Sequence, residues 1–277
     1  MRKLIVNADD FGLAADVTDG IVDAYRTGIV SSTSMMVGGA DAIRAARLAQ
    51  QEPGMAVGIH LTLVDGKSVE PATRAPSILG DDGKFLDDHR QFVRRYAMGG
   101  VNLSDVRDEC SAQIHRFLDM GLQPSHLDSH QHMHLLPGIF EIVQELAVKF
   151  DIKRLRIARG GWVDSLHAGV GGAAMEVLSR RGQRMIRRQP NDLYHCDHFL
   201  GARYSCRLNK QVLLGLIDQV EEGSSELMCH PGRYNEELLR DHPWGSNWQL
   251  ELDALTDPEV KERVRQRKID IVGHMDI

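Results

Sequence analysis

The sequence predicts an α/β fold built on a mainly parallel sheet. Two observations carry that expectation: short β-rich segments alternate with longer amphipathic helical patterns, and side chains that bind metals or carry protons gather where the strand segments end. Such a sheet either closes as a barrel or stays open and doubly wound, and both arrangements put their chemistry at the carboxyl ends of the strands.

The first strand segment, KLIVNA (3–8), runs directly into the acidic pair Asp9 and Asp10. Residues 16–27 then place Val17, Ile21, Val22 and Tyr25 on one helical face. IVSSTSMMV (29–37) and MAVGIHLTL (55–63) supply two further strands. Residues 65–103, with Pro71, Pro76, Gly80, Gly83, Gly99 and Gly100, break the alternation and read as an inserted loop. Residues 104–120 resume it as a helix with Val106, Ile114, Phe117 and Leu118 on one side. PSHLDSH (124–130) is the fourth strand segment, and a helix over 138–150 follows, with Ile139, Ile142, Val143 and Leu146 aligned behind Pro137 at its start. KRLRIA (153–158), SELMCH (225–230) and IDIVG (269–273) complete the strands, while 159–175 is a second irregular stretch. No linker or repeat marks a boundary, so residues 1–277 read as one domain with substrate-facing loops near 65–103 and 159–175.

Composition narrows the class. With 42% hydrophobic residues in 277, the chain can bury an ordinary core without staples. The net charge of −6 arises from 39 acidic and 33 basic residues that are interspersed, which leaves no basic face for nucleic acid. The one basic cluster, RRGQRMIRR (180–188), reads as a solvated helix end. Cys110, Cys196, Cys206 and Cys229 form no paired CxxC, the N-terminus runs straight into a strand, and no apolar run reaches the roughly 18 residues of a membrane span. The expectation is a soluble, reduced, cytoplasmic protein with no transmembrane segment, and a homo-oligomer is left open.

Four strand segments end in polar groups: Asp9 and Asp10, His60 in VGIHLTL, the run HLDSHQHMH, and His230 in MCHPG. In the run, His126, Asp128, His130, His132 and His134 occupy every second position, which on an extended strand is one face. One carboxylate of the acidic pair can ligate a divalent cation whose charge holds the other ionised, leaving it free to act as a general base. A carboxylate with two imidazoles suits Zn²⁺ or another borderline divalent ion. The spacing alone does not choose among the histidines of the fourth segment.

At these residues the sequence resembles the YdjC-like carbohydrate deacetylases, the group that includes chitooligosaccharide (diacetylchitobiose) deacetylase and a hopanoid-associated branch. The matching stretches are NADDFG (7–12), GIV.S.S.MV (28–37), GIHLTL (58–63), P.HLDSHQH.H (124–134) and ELMCHPG (226–232), with LTDPEV (255–260) resembling the family's C-terminal part. The resemblance implies an irregular (β/α) barrel. It implies that Asp10, His60 and His130 bind one divalent ion, Zn²⁺ or Mg²⁺, with Asp9 as base and His230 as acid. His126 and Asp128 become groups that orient the ligands, and His132 and His134 become loop or substrate contacts. The implied reaction is hydrolysis of an N-acetyl group from an amino sugar or from a short N-acetylglucosamine-containing oligosaccharide or glycolipid. A metal-dependent hydrolase of a phosphoester or a cyclic amide would use similar ligands, and a non-catalytic sugar- or metal-binding protein is the further alternative. Trp162, Trp244 and Trp248 are candidates either for stacking on sugar rings or for the core.

Overall fold

The structure is a computed structural model and describes residues 1–71, 73–159, 169–188, 192–242 and 247–277. Among them, the strands β1 (Arg2–Phe11), β2 (Ser32–Met35), β3 (Ala56–Leu61), β4 (Leu127–Ser129), β5 (His198–Leu200) and β6 (Gly223–Cys229) lie in the order β4-β3-β2-β1-β6-β5. A seventh, β7 (Ile269–Ile271), pairs with the first residues of β1, and every pairing is parallel. β1 is central, and its Leu4, Ile5, Val6 and Ala8 are wholly buried, as a strand covered on both faces requires.

The sheet curves as a half-barrel, and irregular backbone spans the gap between β4 and β5. Leu127 N–H donates to the Arg154 carbonyl at 2.9 Å, and Arg156 N–H donates back to the Leu127 carbonyl at 3.0 Å. On the other side Tyr194 N–H donates to Lys153 O at 2.8 Å and Leu155 N–H to Tyr194 O at 2.9 Å. Of the two topologies left open by the βα alternation, the irregular (β/α) barrel is the one formed.

Helices flank the sheet. α1 (Ala15–Thr27) buries Val17, Ile21 and Val22, and α2 (Ala42–Gln51) buries the alanine row Ala42, Ala45, Ala46 and Ala49. α3 (His89–Ala97) lies within the segment expected to be loop, which also holds a 3₁₀ turn at Pro76–Ile78. α4 (Leu103–Asp119) begins at Asn102, whose side chain accepts from Ser104 N–H, and it buries Val106, Ile114 and Phe117. α5 (Ile139–Lys149) and α6 (Gly169–Arg188) follow, and the basic cluster 180–188 is indeed the end of α6. α7 (Lys210–Asp218), α8 (Glu236–Asp241), α9 (Trp248–Thr256) and α10 (Pro258–Gln266) complete the chain. No helix among the described residues is long and apolar enough to cross a membrane.

Three strand expectations need correction, the first being KRLRIA (153–158), which forms only single parallel bridges at Arg154 and Leu155. The alternation from His126 to His134 does not lie on one strand face: β4 stops at Ser129, and 130–135 is a 3₁₀ turn kinked by left-handed Gln131 (φ 52°) and His132 (φ 56°). β5 was not expected, because three residues in a polar stretch carry no readable period. Trp162 and Trp244 lie outside the described residues, as does most of the irregular stretch before α6, while Trp248 is buried.

One packing contact sets the position of the strand-end loop that follows β6. A Cβ on Gly20 of α1 would come within 2.3 Å of Gly232 Cα, so helix and loop meet backbone to backbone. Helix propensity alone favours Gly20→Ala by about 0.5–1 kcal/mol, whereas the overlap should cost about 1–3 kcal/mol. The expected outcome is a lower melting temperature for Gly20→Ala; an unchanged or higher midpoint in a thermal melt would show that the contact yields.

Candidate metal centre and active site

Asp9 and Asp10 part company because β1 bulges. Its register against β2 shifts between Ala8 and Phe11, and Asp10 takes a left-handed backbone, φ 68°, which an aspartate tolerates better than most residues. Asp9 faces Arg156, and Asp10 faces two imidazoles.

Arg156 comes from the irregular backbone between β4 and β5 and is buried with three carboxylates. Its Nη1 and Nη2 donate to Asp9 Oδ2 and Oδ1 at 2.6 and 2.7 Å, and Nε donates to Glu226 Oε1 at 2.7 Å. Nη1 also lies 2.6 Å from Asp128 Oδ2. Asn7 Nδ2 adds a third hydrogen bond to Asp9, on Oδ1 at 2.8 Å. Burial by itself pushes the Asp9 carboxyl up, but the Arg156 charge, helped by His60, reverses this and holds it well below the usual carboxylate range. Asp9 is therefore ionised, and one of its roughly four lone-pair positions remains after Arg156 and Asn7 are satisfied.

Asp10 Oδ1 lies 3.3 Å from His60 Nε2 and 3.0 Å from His130 Nδ1. Among the described residues its Oδ2 is buried with no hydrogen-bond partner. A buried carboxylate oxygen left bare is expensive unless a cation meets it. Asp10, His60 and His130 each offer one ligand atom within 4.8 Å of the others, so the donor set fits one divalent ion. Asp9, His60 and Asp128 also converge to that distance. There, however, both carboxyl groups already share the Arg156 guanidinium, whose charge competes with a cation.

The other predicted histidines sort by their partners. His60 Nδ1 is 2.7 Å from Asp128 Oδ1, which fixes the ring and leaves Nε2 towards Asp10. Ser34 Oγ donates to Asp128 Oδ2 at 2.8 Å and accepts from Asn7 Nδ2 at 2.8 Å. Its one proton is thus used, so the 3.0 Å contact with His126 Nε2 is a bond donated by the imidazole. Burial, with His274 and Arg156 nearby, keeps His126 well below the usual imidazole range and so neutral. It supports Asp128 through Ser34 and also stacks on His274 at 3.7 Å. His134, expected as a loop or substrate contact, is instead fully buried, bonded to Ser129 Oγ at 2.6 Å and to the Arg156 carbonyl at 2.9 Å. His132 is half-buried and edge-on to Phe199 at 5.8 Å.

His230 follows β6 and is close enough to Asp9 for its charge to lower that carboxyl. Its backbone N–H donates to Glu251 Oε2 at 2.6 Å, while its Nδ1 stands 3.9 Å from the same oxygen without a hydrogen bond. Glu251, on α9, also accepts from Leu208 N–H at 3.2 Å, and burial pushes its carboxyl up.

Sequence reasoning missed Arg156, Glu226 and Glu251. A signal existed for the first two: each is a charged residue inside a segment read as a buried strand, and a buried acid calls for a buried base.

The histidine shifts make a pH prediction. Burial lowers His60, but the Asp128 charge and hydrogen bonds to Asp10 and Asp128 prevail and raise it from 6.5 to about 10. Burial likewise lowers His130, and Asp10 prevails to raise it from 6.5 to about 9. A raised folded value stabilises fully below the unfolded one and is lost as pH climbs through the folded one. The depressed carboxyls of Asp9 and Asp10 work the other way: their stabilisation is present above 3.8 and is lost as pH falls through their low folded values. The melting temperature of the metal-free protein should therefore decline from about pH 7 to about pH 10, and His130→Gln should flatten that decline. Parallel curves for the two proteins would contradict the coupling.

Comparisons place the chain among known proteins. The YdjC-like protein family matches residues 3–266. A carbohydrate deacetylase of Geobacillus stearothermophilus is 31% identical over 278 residues, covering 99% of this chain and 98% of its own. A chitooligosaccharide deacetylase of Serratia marcescens is 33% identical over 280 residues, covering 100% and 99%. A solved structure from Enterococcus faecalis V583, provisionally described as a cellobiose-phosphate cleavage protein, superposes with a TM-score of 0.82 at 29% identity, over 99% of this chain and 98% of its own. With a family match that spans nearly the whole barrel, the chain belongs to the YdjC-like protein family.

Proposed function

We propose that the protein is a divalent-metal-dependent carbohydrate N-deacetylase that hydrolyses the acetyl amide of an N-acetyl amino sugar or of a short oligosaccharide or glycolipid containing one. The observation that carries this reading is Asp10: one bare buried oxygen, and another within 3.3 Å of two imidazole nitrogens, beside a second carboxylate held by Arg156. The names of relatives that align end to end, a carbohydrate deacetylase and a chitooligosaccharide deacetylase, support the substrate class.

In this reading Asp10, His60 and His130 hold Zn²⁺ or Mg²⁺, and the bound ion supplies a polarised acetyl carbonyl and a more acidic water. Asp9 accepts the proton of the attacking water through its remaining lone pair. Arg156 keeps Asp9 ionised and fixes its plane, so the base is always in the right protonation state although intrinsically weak. Asp128 holds His60 in one tautomer, and His126 and Ser34 hold Asp128. His230 protonates the departing nitrogen, without which an amine anion would have to leave. His132, in the strained turn after β4, remains a substrate contact, and the whole chain acts as one catalytic domain.

Acetate release tests the reaction: metal-stripped protein resupplied with Zn²⁺, Mg²⁺, Mn²⁺ or Co²⁺ should liberate acetate from at least one N-acetylated sugar. Release of phosphate, ring opening of a cyclic amide, or sugar binding with no turnover would each replace this reading. Asp10→Asn should lose the metal, whereas Asp9→Asn should keep it and lose about 10²–10⁴ in rate; equal metal loss by elemental analysis would mean that both carboxylates share the ion. His230→Ala should slow an N-acetyl sugar by roughly 10² more than an acetyl nitrophenyl ester, whose leaving group needs little protonation. If the ratio of kcat/KM for the two substrates stays at the wild-type value, His230 is not the acid.

A further inference from the structure

Each imidazole that reaches Asp10 has its other nitrogen turned to a second carboxylate. For His60 that carboxylate is Asp128, at 2.7 Å from Nδ1. For His130, whose Nδ1 meets Asp10 and whose Nε2 also has the Gln131 amide nitrogen at 3.4 Å, it is Asp65: Oδ2 lies 3.8 Å from Nε2. This is ion-pair range, longer than a hydrogen bond. Asp65 is not placed there by accident of a loose loop. Its N–H donates to Leu86 O at 2.8 Å, Phe85 N–H donates to Gly66 O at 3.1 Å, and its own backbone is left-handed, φ 52°. A non-glycine residue in that region is strained unless its surroundings dictate it, and such strain collects at functional sites. The Asp65 side chain is 16% exposed, and His242, just beyond α8, brings Nδ1 to 3.7 Å from the same oxygen.

We propose that Asp65 is a positioning residue for His130, orienting the ring from its outer nitrogen as Asp128 orients His60, so that both histidines present a fixed nitrogen beside Asp10. The proposal rests on the reading of Asp10, His60 and His130 as ligands of one cation. A carboxylate behind a ligand histidine sets its tautomer and raises its basicity, and losing one typically weakens metal binding about 10–100-fold. His242 is the outer partner of Asp65 and ties the segment after α8 to it.

The test titrates Zn²⁺ into metal-stripped wild type, Asp65→Asn and His242→Ala against a competing chelator, with melting temperatures of the metal-free proteins as a control. Asparagine keeps the shape and the tolerance of a left-handed backbone, so Asp65→Asn should fold and bind Zn²⁺ about 10–100-fold more weakly. Asp65→Gly, equally suited to that backbone, should do the same and stands in if the first variant is unstable. His242→Ala should bind within about fivefold of wild type, the scale of a partly exposed pair. Wild-type affinity in both Asp65 variants overturns the proposal. A loss in His242→Ala equal to that in Asp65→Asn also overturns it, because the segment rather than the carboxylate would then hold the ring. If wild type itself takes up no Zn²⁺, Co²⁺ or Mg²⁺, the ligand reading fails and this assignment falls with it; affinity in wild type with no weakening in the variants leaves the ligand reading intact.

Discussion

The structure depends on one buried cation, the Arg156 guanidinium. It meets Asp9 at the end of β1, Asp128 in β4 and Glu226 in β6, and its own backbone bridges from Leu127 into the gap in the sheet. Three strands are thus joined at one planar group, in a region where the sheet has no regular ladder. A buried arginine among three carboxylates carries little net stability by itself, since desolvation offsets most of the attraction. Removing it, though, would leave three uncompensated acids in the core, typically a loss of about 3–5 kcal/mol for even one such broken pair. Its role is therefore specification: the barrel closes where Arg156 can be neutralised, and Asp9 stays ionised because Arg156 is there.

The same charges make the cluster one that could hold a divalent ion. Asp9, Asp10, Asp128 and Glu226 are four buried acids, and Arg156 offsets one of them. In the metal-free protein His60 and His130, raised to about 10 and about 9, carry two further positive charges as imidazolium. A divalent ion in their neighbourhood replaces those two protons without changing the net charge of the cluster. Proton and metal compete for the same negative potential, so the raised histidines and the bare Asp10 oxygen are two signs of one unsatisfied field.

Much of this was legible from residue types at strand ends. The acidic pair and His60 stood out because apolar runs terminate in groups that have no reason to be buried together unless something binds them, whereas His130 was told from its neighbouring histidines only by the family resemblance. The order of the strands and the closing of the barrel were not legible, because parallel partners lie far apart in sequence: Arg156 and Asp9 are separated by 147 positions. Period-two reasoning worked for His126 and Asp128, which both reach Ser34, and failed beyond Ser129, where two left-handed residues end the strand. No propensity argument foresees positive φ at a glutamine and a histidine, since tertiary contacts impose it. Asp65 was hidden for a related reason: it opens a stretch that reads as loop, and its backbone pairs with Leu86, a partner no local pattern indicates.

The histidines divide their labour by how firmly they are held. His126 and His134 each have both ring nitrogens hydrogen-bonded, which fixes one neutral tautomer and makes them struts. His60 and His130 each face Asp10 with one nitrogen and an outer carboxylate with the other, Asp128 at 2.7 Å for His60 and Asp65 at 3.8 Å for His130. His230 has neither kind of hold: Glu251 grips its backbone at 2.6 Å, while its Nδ1 stays 3.9 Å away and unbonded. A ring anchored by its main chain and faced by a carboxylate at that distance can change partners without breaking a strong bond. Position in the sequence made all five look alike, and the number and length of their bonds separates them.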